Sequence, residues 1–301
     1  MLHYVLRSNE SLDSMMSRQI SMLLLGVLIA GIMLVQVATS SARLALQNQP
    51  LSSKKSGQVF EGKMLLDEGF EGHSLDTKRW NTCYWWGDKG CTITSSKELE
   101  WYLPKQVKVA DGVLHLTAEK RTLYGTDGKM HDYASGMVST GPSNKNSAAK
   151  LAFTYGQVEV RFKVPEGQGL WPAIWLLPES TKPRPEIDML EVLGHDTETL
   201  RMHLHPKDRS NRSYGSRFTI PGGRKLSDGW HTIGLDWTPN RLVFWLDSEK
   251  VWEFEGSEVP DEPMYVVMNL AVGGDFPGSP DNTTEFPANF LIDHIRIQGH
   301  N

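Results

Sequence analysis

The segment Gln157-Val158-Glu159-Val160-Arg161-Phe162-Lys163-Val164 alternates polar and apolar residues without a break. Successive side chains of a strand point to opposite faces, so Val158, Val160, Phe162 and Val164 share one face and Gln157, Glu159, Arg161 and Lys163 the other. A period of two held over this length specifies a half-buried strand and fits no helix. Working outward, similar runs occur at residues 112–120 (GVLHLTAEK), 200–206 (LRMHLHP), 230–237 (WHTIGLDW), 241–247 (RLVFWLD), 264–272 (MYVVMNLAV) and 290–297 (FLIDHIRI). Gly, Pro, Asn and Asp separate them, which is turn chemistry. No helical stripe is sustained after residue 60, and there is no internal repeat. The expected fold is all-β: two antiparallel sheets packed face to face, a sandwich or jelly roll of roughly 240 residues, with one domain over 60–298.

The bulk composition is compatible with this. The chain has 301 residues, 39% hydrophobic and 22% charged, enough to bury one large core. The net charge of −5 comes from intermixed acids and bases, which excludes a phosphate-binding surface and so nucleic acid as a partner. Ten tryptophans are many for this length; large rings with a single N–H suit both a core and the faces of sugar rings.

The N-terminal residues read separately. Arg18 precedes an apolar run from Ile20 to Val37, followed by the small residues Ala38-Thr39-Ser40-Ser41-Ala42. Residues 1–42 are therefore either a cleaved export signal or an uncleaved anchor, the run being close to the length that spans a bilayer. A start at Met15 or Met16 would leave a short basic leader, which favours cleavage. The membrane is a partner only if the segment stays uncleaved, and the functional domain is extracytoplasmic in both cases. Residues 43–59, polar and Ser/Lys-rich, read as a linker. Cys83 and Cys91 are the only cysteines. In an oxidising compartment they are expected to close a small disulfide loop, two reduced thiols being the alternative, and two cysteines alone cannot build a structural zinc site.

Chemistry concentrates in Glu186-Ile187-Asp188-Met189-Leu190-Glu191. On a regular strand Glu186 and Asp188 share a face while Glu191, at an odd offset, points the other way. A bulge at Met189-Leu190 would reset the alternation and return Glu191 to the same face. Three like charges on one strand face destabilise a fold, so the arrangement calls for a bound cation or a shared proton. Calcium collects six to eight oxygens from a loop, which a strand does not offer. Glycoside hydrolysis needs one ionised and one protonated carboxyl, and crowding separates their pKa values. A retaining pair stands about 5–5.5 Å apart, so the strand must also be twisted and concave, with a cleft on that side.

The stretch from Tyr155 to Glu191 (YGQVEVRFKVPEGQGLWPAIWLLPESTKPRPEIDMLE), with SGMVST (135–140), DGWHTIGLDWTPNRLVFWLD (228–247) and MNLAVGGDFPG (268–278), resembles glycoside hydrolase family 16 over about residues 60–298. The resemblance implies a concanavalin-like β-jelly roll of two curved sheets that cleaves β-linked glucans or galactans with retention. The spaced E-x-D-x-x-E form resembles the laminarinase-like and agarase-like branches. It further implies Glu186 as nucleophile, Glu191 as general acid/base and Asp188 as the residue that tunes the nucleophile. Trp171 and Trp175 resemble cleft tryptophans. His203 and His205 share a strand face, and His205 is the closer match to a histidine beside the acid/base. Glu98, Trp101 and Tyr102 resemble the family's N-E-L-Q-Y-Y block beside the glycone subsites, with Lys97 in place of Asn, and Asn269 resembles a strand residue bordering the cleft. Tyr84, Trp85 and Trp86 in the cysteine loop form either a cleft wall or an aromatic plug.

No cofactor is expected for the reaction. A structural calcium near Glu68 and Asp293, on the convex side, is implied by some family members. The expected substrate is a β-1,3- or mixed-linkage β-1,3-1,4-glucan, taken by a monomer. Agar- or carrageenan-type galactans and transglycosylation stay open, because loops at 83–91, 121–134 and 205–217 shape the cleft. A non-catalytic carbohydrate-binding jelly roll is the alternative from another class, disfavoured because a lectin gains nothing from mutually repelling acids.

Overall fold

A computed structural model describes residues 62–86, 90–207 and 212–300. The segments expected as export signal or anchor (1–42) and linker (43–59) lie outside the described residues. Among the described residues no helix is long and apolar enough to cross a membrane.

Two sheets make up the fold. The larger runs, in spatial order, β14 (Glu249–Glu255), β13 (Arg241–Leu246), β12 (His231–Thr238), β7 (Gly156–Lys163), β16 (Ala288–Gly299), β4 (Val113–Tyr124), β5 (Met130–Ser135) and β2 (Glu100–Tyr102). In addition β1 (Lys63–Glu68) pairs with β16, and β3 (Val107–Ala110) with β4. The smaller runs β11 (Tyr214–Thr219), β10 (Asp196–His205), β9 (Glu186–Leu193), β8 (Leu170–Pro178), β15 (Met264–Val272) and β6 (Met137–Ser139). Pairing is antiparallel except between β2 and β5. The chain is a jelly-roll sandwich, as the alternation along 157–164 predicts. On β7, Val158, Val160 and Phe162 are buried in the core between the sheets. The opposite face carries polar groups, where Glu159 meets His294 and Arg296 and Arg161 meets Asp293.

Two of the segments expected as loops contain strand, the first over most of its length. Residues 121–134 form the end of a hairpin, β4 continuing to Tyr124 and β5 starting at Met130, with Gly128 supplying the positive φ of its turn. Tyr214–Thr219 adds an edge strand to β10 in continuous register, from Thr199↔Thr219 to Leu204↔Tyr214. Its alternating exposure shows the period two that the flanking polar residues obscure.

The outer face of the smaller sheet, turned away from the core, has a second apolar cluster at one end. Tyr84, Cys91, Trp101 and Tyr102 pack there against Met137, Trp175, Leu177, Tyr265 and Val267. Gly141 lets the chain pass beneath Tyr265, since a Cβ there would come within 2.4 Å of the ring. This cluster stops short of β9, whose outer face remains free to line a cleft.

The register of β9 shows how. Against β8, Leu190 pairs with Ile174 and Asp188 with Trp175, so Met189 is the extra residue of a bulge. The same shift appears against β10, between Glu191↔Arg201 and Asp188↔His203. Ile187, Met189, Leu190 and Val192 all sit in the core, and Glu186, Asp188 and Glu191 all reach the outer face. Leu190→Ala is expected to cost about 2–5 kcal/mol in urea unfolding, the usual result of a core cavity, and to leave the outer face in place. Deletion of Met189 removes the bulge and turns Glu191 into the core; soluble expression with an intact cleft in that variant would contradict this account.

Candidate active site

The cleft has a volume of about 610 Å³. Its floor comes from alternate residues of β8 (Trp171, Ala173, Trp175, Leu177), from Glu186, Asp188 and Glu191 of β9, and from Asn269 of β15. Its walls are Trp85, Trp86 and the Ile93–Ser96 segment with Glu98 on one hand, and the 181–184 loop on the other. A disulfide joins Cys83 and Cys91, as expected from an oxidising compartment, with Cα atoms 5.6 Å apart. The loop it closes is both wall and plug: Tyr84 is buried and stacks on Trp86 at 4.2 Å, while Trp85 and Trp86 line the cleft.

The three acids of β9 are held by histidines of β10. His203 Nδ1 lies 2.5 Å from Glu191 Oε2. His205 Nε2 lies 3.2 Å from Asp188 Oδ2 and 3.7 Å from Glu186 Oε1. The resemblance implied His205 as the histidine beside Glu191; in the structure it is His203 that contacts Glu191, while His205 contacts Asp188. In register His203 faces Asp188, and the bulge brings Glu191 within reach of its ring. Ligand-type atoms of Glu186, Asp188 and His205, and likewise of Asp188, Glu191 and His203, lie within 4.8 Å of one another. Such spacing suits proton sharing as well as a cation. Burial pushes Glu186 well above the ordinary carboxylate range, the Asp188 charge adds to this, and His205 opposes it. Burial likewise pushes Asp188 up, followed by the charge of Glu191. Glu186 and Asp188 thus ionise less readily than ordinary carboxyls, as expected of buried acids crowded on one face.

The other expected site residues divide into two sets. Trp171, Trp175, Asn269 and Glu98 line the cleft. Trp171 meets Phe276 edge-on at 5.3 Å. Trp101 and Tyr102 do not line it: both are buried behind the wall, and the expectation that they touch substrate is corrected. The parallel pairing of β2 with β5 turns Trp101 onto His131, with ring centroids 4.8 Å apart. Tyr102 acts at one remove, because Trp175 Nε1 donates to Asn269 Oδ1 (2.7 Å) and Asn269 Nδ2 donates to the Tyr102 hydroxyl oxygen (2.9 Å). At the expected calcium position, Glu68 accepts from the Phe70 N–H and pairs with Arg79, and Asp293 pairs with Arg161 and His294. Guanidinium groups thus occupy the carboxylates a cation would need. Sequence reading missed Arg184, whose charge acts on Asp188, and Glu100, fully buried beside Glu98. Arg184 stands two residues before Glu186 and was visible by proximity; nothing local marks Glu100 as buried.

Fold and site together define a jelly-roll protein with a carboxylate-lined, aromatic-walled cleft. The family model of glycosyl hydrolases family 16 matches residues 94–291. The chain belongs to that family. It is 34% identical over 230 residues to an endo-1,3-1,4-β-glycanase of Rhizobium meliloti, covering 72% of this chain and 47% of the relative. The solved catalytic domain of an endo-1,3-β-glucanase (laminarinase) from Thermotoga petrophila superimposes with a TM-score of 0.71 at 30% identity, covering 81% of this chain and 100% of that one. A Zobellia galactanivorans protein solved with laminaritriose and laminaritetraose has a TM-score of 0.67 at 27% identity, covering 80% of this chain and 100% of that one. The chain spans about half the length of the Rhizobium relative.

Asn269→Ala removes the acceptor for Trp175 and the donor to Tyr102. It should destabilise the domain by about 1–3 kcal/mol in thermal or urea unfolding, as expected when buried polar groups lose their partners. An unchanged midpoint would show that the relay carries no stability.

Proposed function

We propose that this chain is an endo-acting, retaining glycoside hydrolase of β-1,3- or mixed-linkage β-1,3-1,4-glucan, with Glu186 as nucleophile and Glu191 as general acid/base. The observation that carries this reading is the bulge at Met189, which brings three carboxyls of one strand to one face of an open, aromatic-walled cleft. The activities of the Rhizobium and Thermotoga relatives, and the oligosaccharides of the Zobellia complex, support the substrate class. The disulfide and the apolar run at 20–37 support action outside the cytoplasm.

Glu191 donates its proton to the glycosidic oxygen as the bond from that oxygen to C1 breaks, and a Glu186 oxygen bonds to C1 from the opposite face. In the second step Glu191 takes a proton from water, the resulting hydroxide attacks C1, and the glycosyl ester to Glu186 breaks with net retention. His203 fixes one oxygen of Glu191 and leaves the other for the leaving group. Asp188, braced by His205, stands beside Glu186, and its charge helps to raise the nucleophile's pKa.

Glu186→Gln is expected to lower kcat at least about 10³-fold, the scale of losing a reacting group, with the unfolding midpoint and oligosaccharide binding retained. Residual turnover near the wild-type rate would remove Glu186 from the role. Incubated with laminarin, lichenan, agarose and carrageenan, the wild-type domain should release oligosaccharides from the first two, with the β-anomer formed first by proton NMR. Release from agarose or carrageenan alone would redirect the substrate assignment to galactans.

The pH profile carries a further expectation. Activity requires ionised Glu186, whose pKa is raised, so the acid limb should lie above the ordinary carboxylate range and activity should grow as pH rises through it. Asp188→Asn removes a neighbouring charge that contributes to the rise, so the limb should move to lower pH while kcat falls. A limb unmoved in that variant would separate Asp188 from Glu186.

A further inference from the structure

Beyond the catalytic triad the described residues contain a second pair of buried carboxyls, at one end of the cleft. Glu98 lines the cleft and a smaller adjoining pocket of about 240 Å³. Glu100 begins β2 and is fully buried. Being two apart in extended chain, the two side chains share a face, while Leu99 between them packs tightly on Gly273. Glu100 is fixed from two sides: its Oε2 accepts from the Val272 N–H at 2.7 Å and its Oε1 from Thr92 Oγ1 at 3.2 Å. Glu98 has a weaker hold, one contact of 3.4 Å from the Ile93 N–H. Its other partner is the Glu100 carboxyl itself.

Neither carboxyl has a Lys, Arg or His ion pair among the described residues. The groups packed around them are the hydroxyls of Tyr84 and Tyr102. At the rim Lys97 is engaged with Asp275 at 2.9 Å. Across the smaller pocket Asp127 is engaged with His131, beside Lys129 and Asp132. With no cation to compensate them, two adjacent buried carboxylates cannot both be ionised. The block this segment resembles, N-E-L-Q-Y-Y, has glutamine where Glu100 stands, and glutamine would donate to Glu98 through its amide without titrating.

We propose that Glu98 and Glu100 hold one shared proton, and that Glu100 is a positioning residue which through that proton fixes Glu98 and the Ile93–Ser96 wall of the cleft. Burial raises both groups; the hydrogen bond between them raises Glu98 and lowers Glu100, so the proton resides on Glu98. As pH rises and the proton leaves, two negative charges face each other without a donor, and Glu98, the less firmly held, is displaced. Substrate binding at this end of the cleft then weakens on the alkaline side. The binding consequence rests on the glucanase reading; the shared proton does not.

The test is Glu100→Gln, with Glu98→Gln as a second variant should the first fail to fold. In the wild type KM for laminarin should rise about tenfold from about pH 6 to about pH 9, equivalent to one unit of differential protonation. In Glu100→Gln it should change less than about twofold, the difference being carried by KM and not by kcat. Thermal unfolding reads the proton without substrate. A carboxyl whose folded pKa is raised loses its stabilising contribution as pH climbs from its unfolded value through the folded one, so the wild-type Tm should fall between about pH 5 and about pH 9 more steeply than that of either variant. Superimposable Tm slopes would overturn the proposal. Different Tm slopes with identical KM profiles would overturn the positioning role and keep only the shared proton. Absence of glucan hydrolysis by the wild type would sink the glucanase reading and the positioning role that depends on it, with the Tm comparison still deciding the proton.

Discussion

Strand β9 has to satisfy two surfaces at once, and a single unpaired residue makes that possible. Ile187, Met189, Leu190 and Val192 close the core against the larger sheet, while Glu186, Asp188 and Glu191 must all stand on the other side. Without the bulge, parity would bury Glu191 or expose Leu190. The hydrophobic demand of the core therefore pins the spacing of the acids. Both neighbouring strands accommodate the shift, so the distortion is locked by pairing on two sides.

The electrostatics of the cleft follow from this placement. Carboxyls gathered on a solvated strand would spread their charge into water; here burial takes much of that water away and pushes Glu186 and Asp188 above the ordinary carboxylate range. The histidines of β10 have a different task. They hold oxygens in place by short contacts at the edge of the triad, so the geometry of the acids is set by two strands and not by one. The relay from Trp175 through Asn269 to Tyr102 does the same for the floor, tying β8 and β15 to β2 by side chains where the backbone ladder does not reach.

Much of this was legible in the sequence. Period-two patterning gave the strands because one face of each is buried in the sandwich, and the odd offset of Glu191 exposed the bulge as the only way to unite the acids. The histidine assignment went astray because strand parity places His203 and His205 on one face without saying how far the bulge slides Glu191 along them. Trp101 and Tyr102 misled for a related reason. Their local sequence is the same whether they face a ligand or the back of a wall, and the parallel pairing of β2 with β5, which joins Trp101 to Ala134, decides it. The burial of Glu100 likewise depends on Val272 and Thr92, contacts that no local pattern announces.

The aromatic lobe between Cys83 and Cys91 leans on the outer face of the smaller sheet, and none of its described residues belongs to the core between the sheets. Its cohesion comes from its crosslink, from ring stacking and from the packing of Tyr84 and Cys91 against Tyr102 and Trp175. Such a lobe is a separable part: a change at its cleft-lining Trp85 or Trp86 would reshape one end of the cleft without touching the core between the sheets.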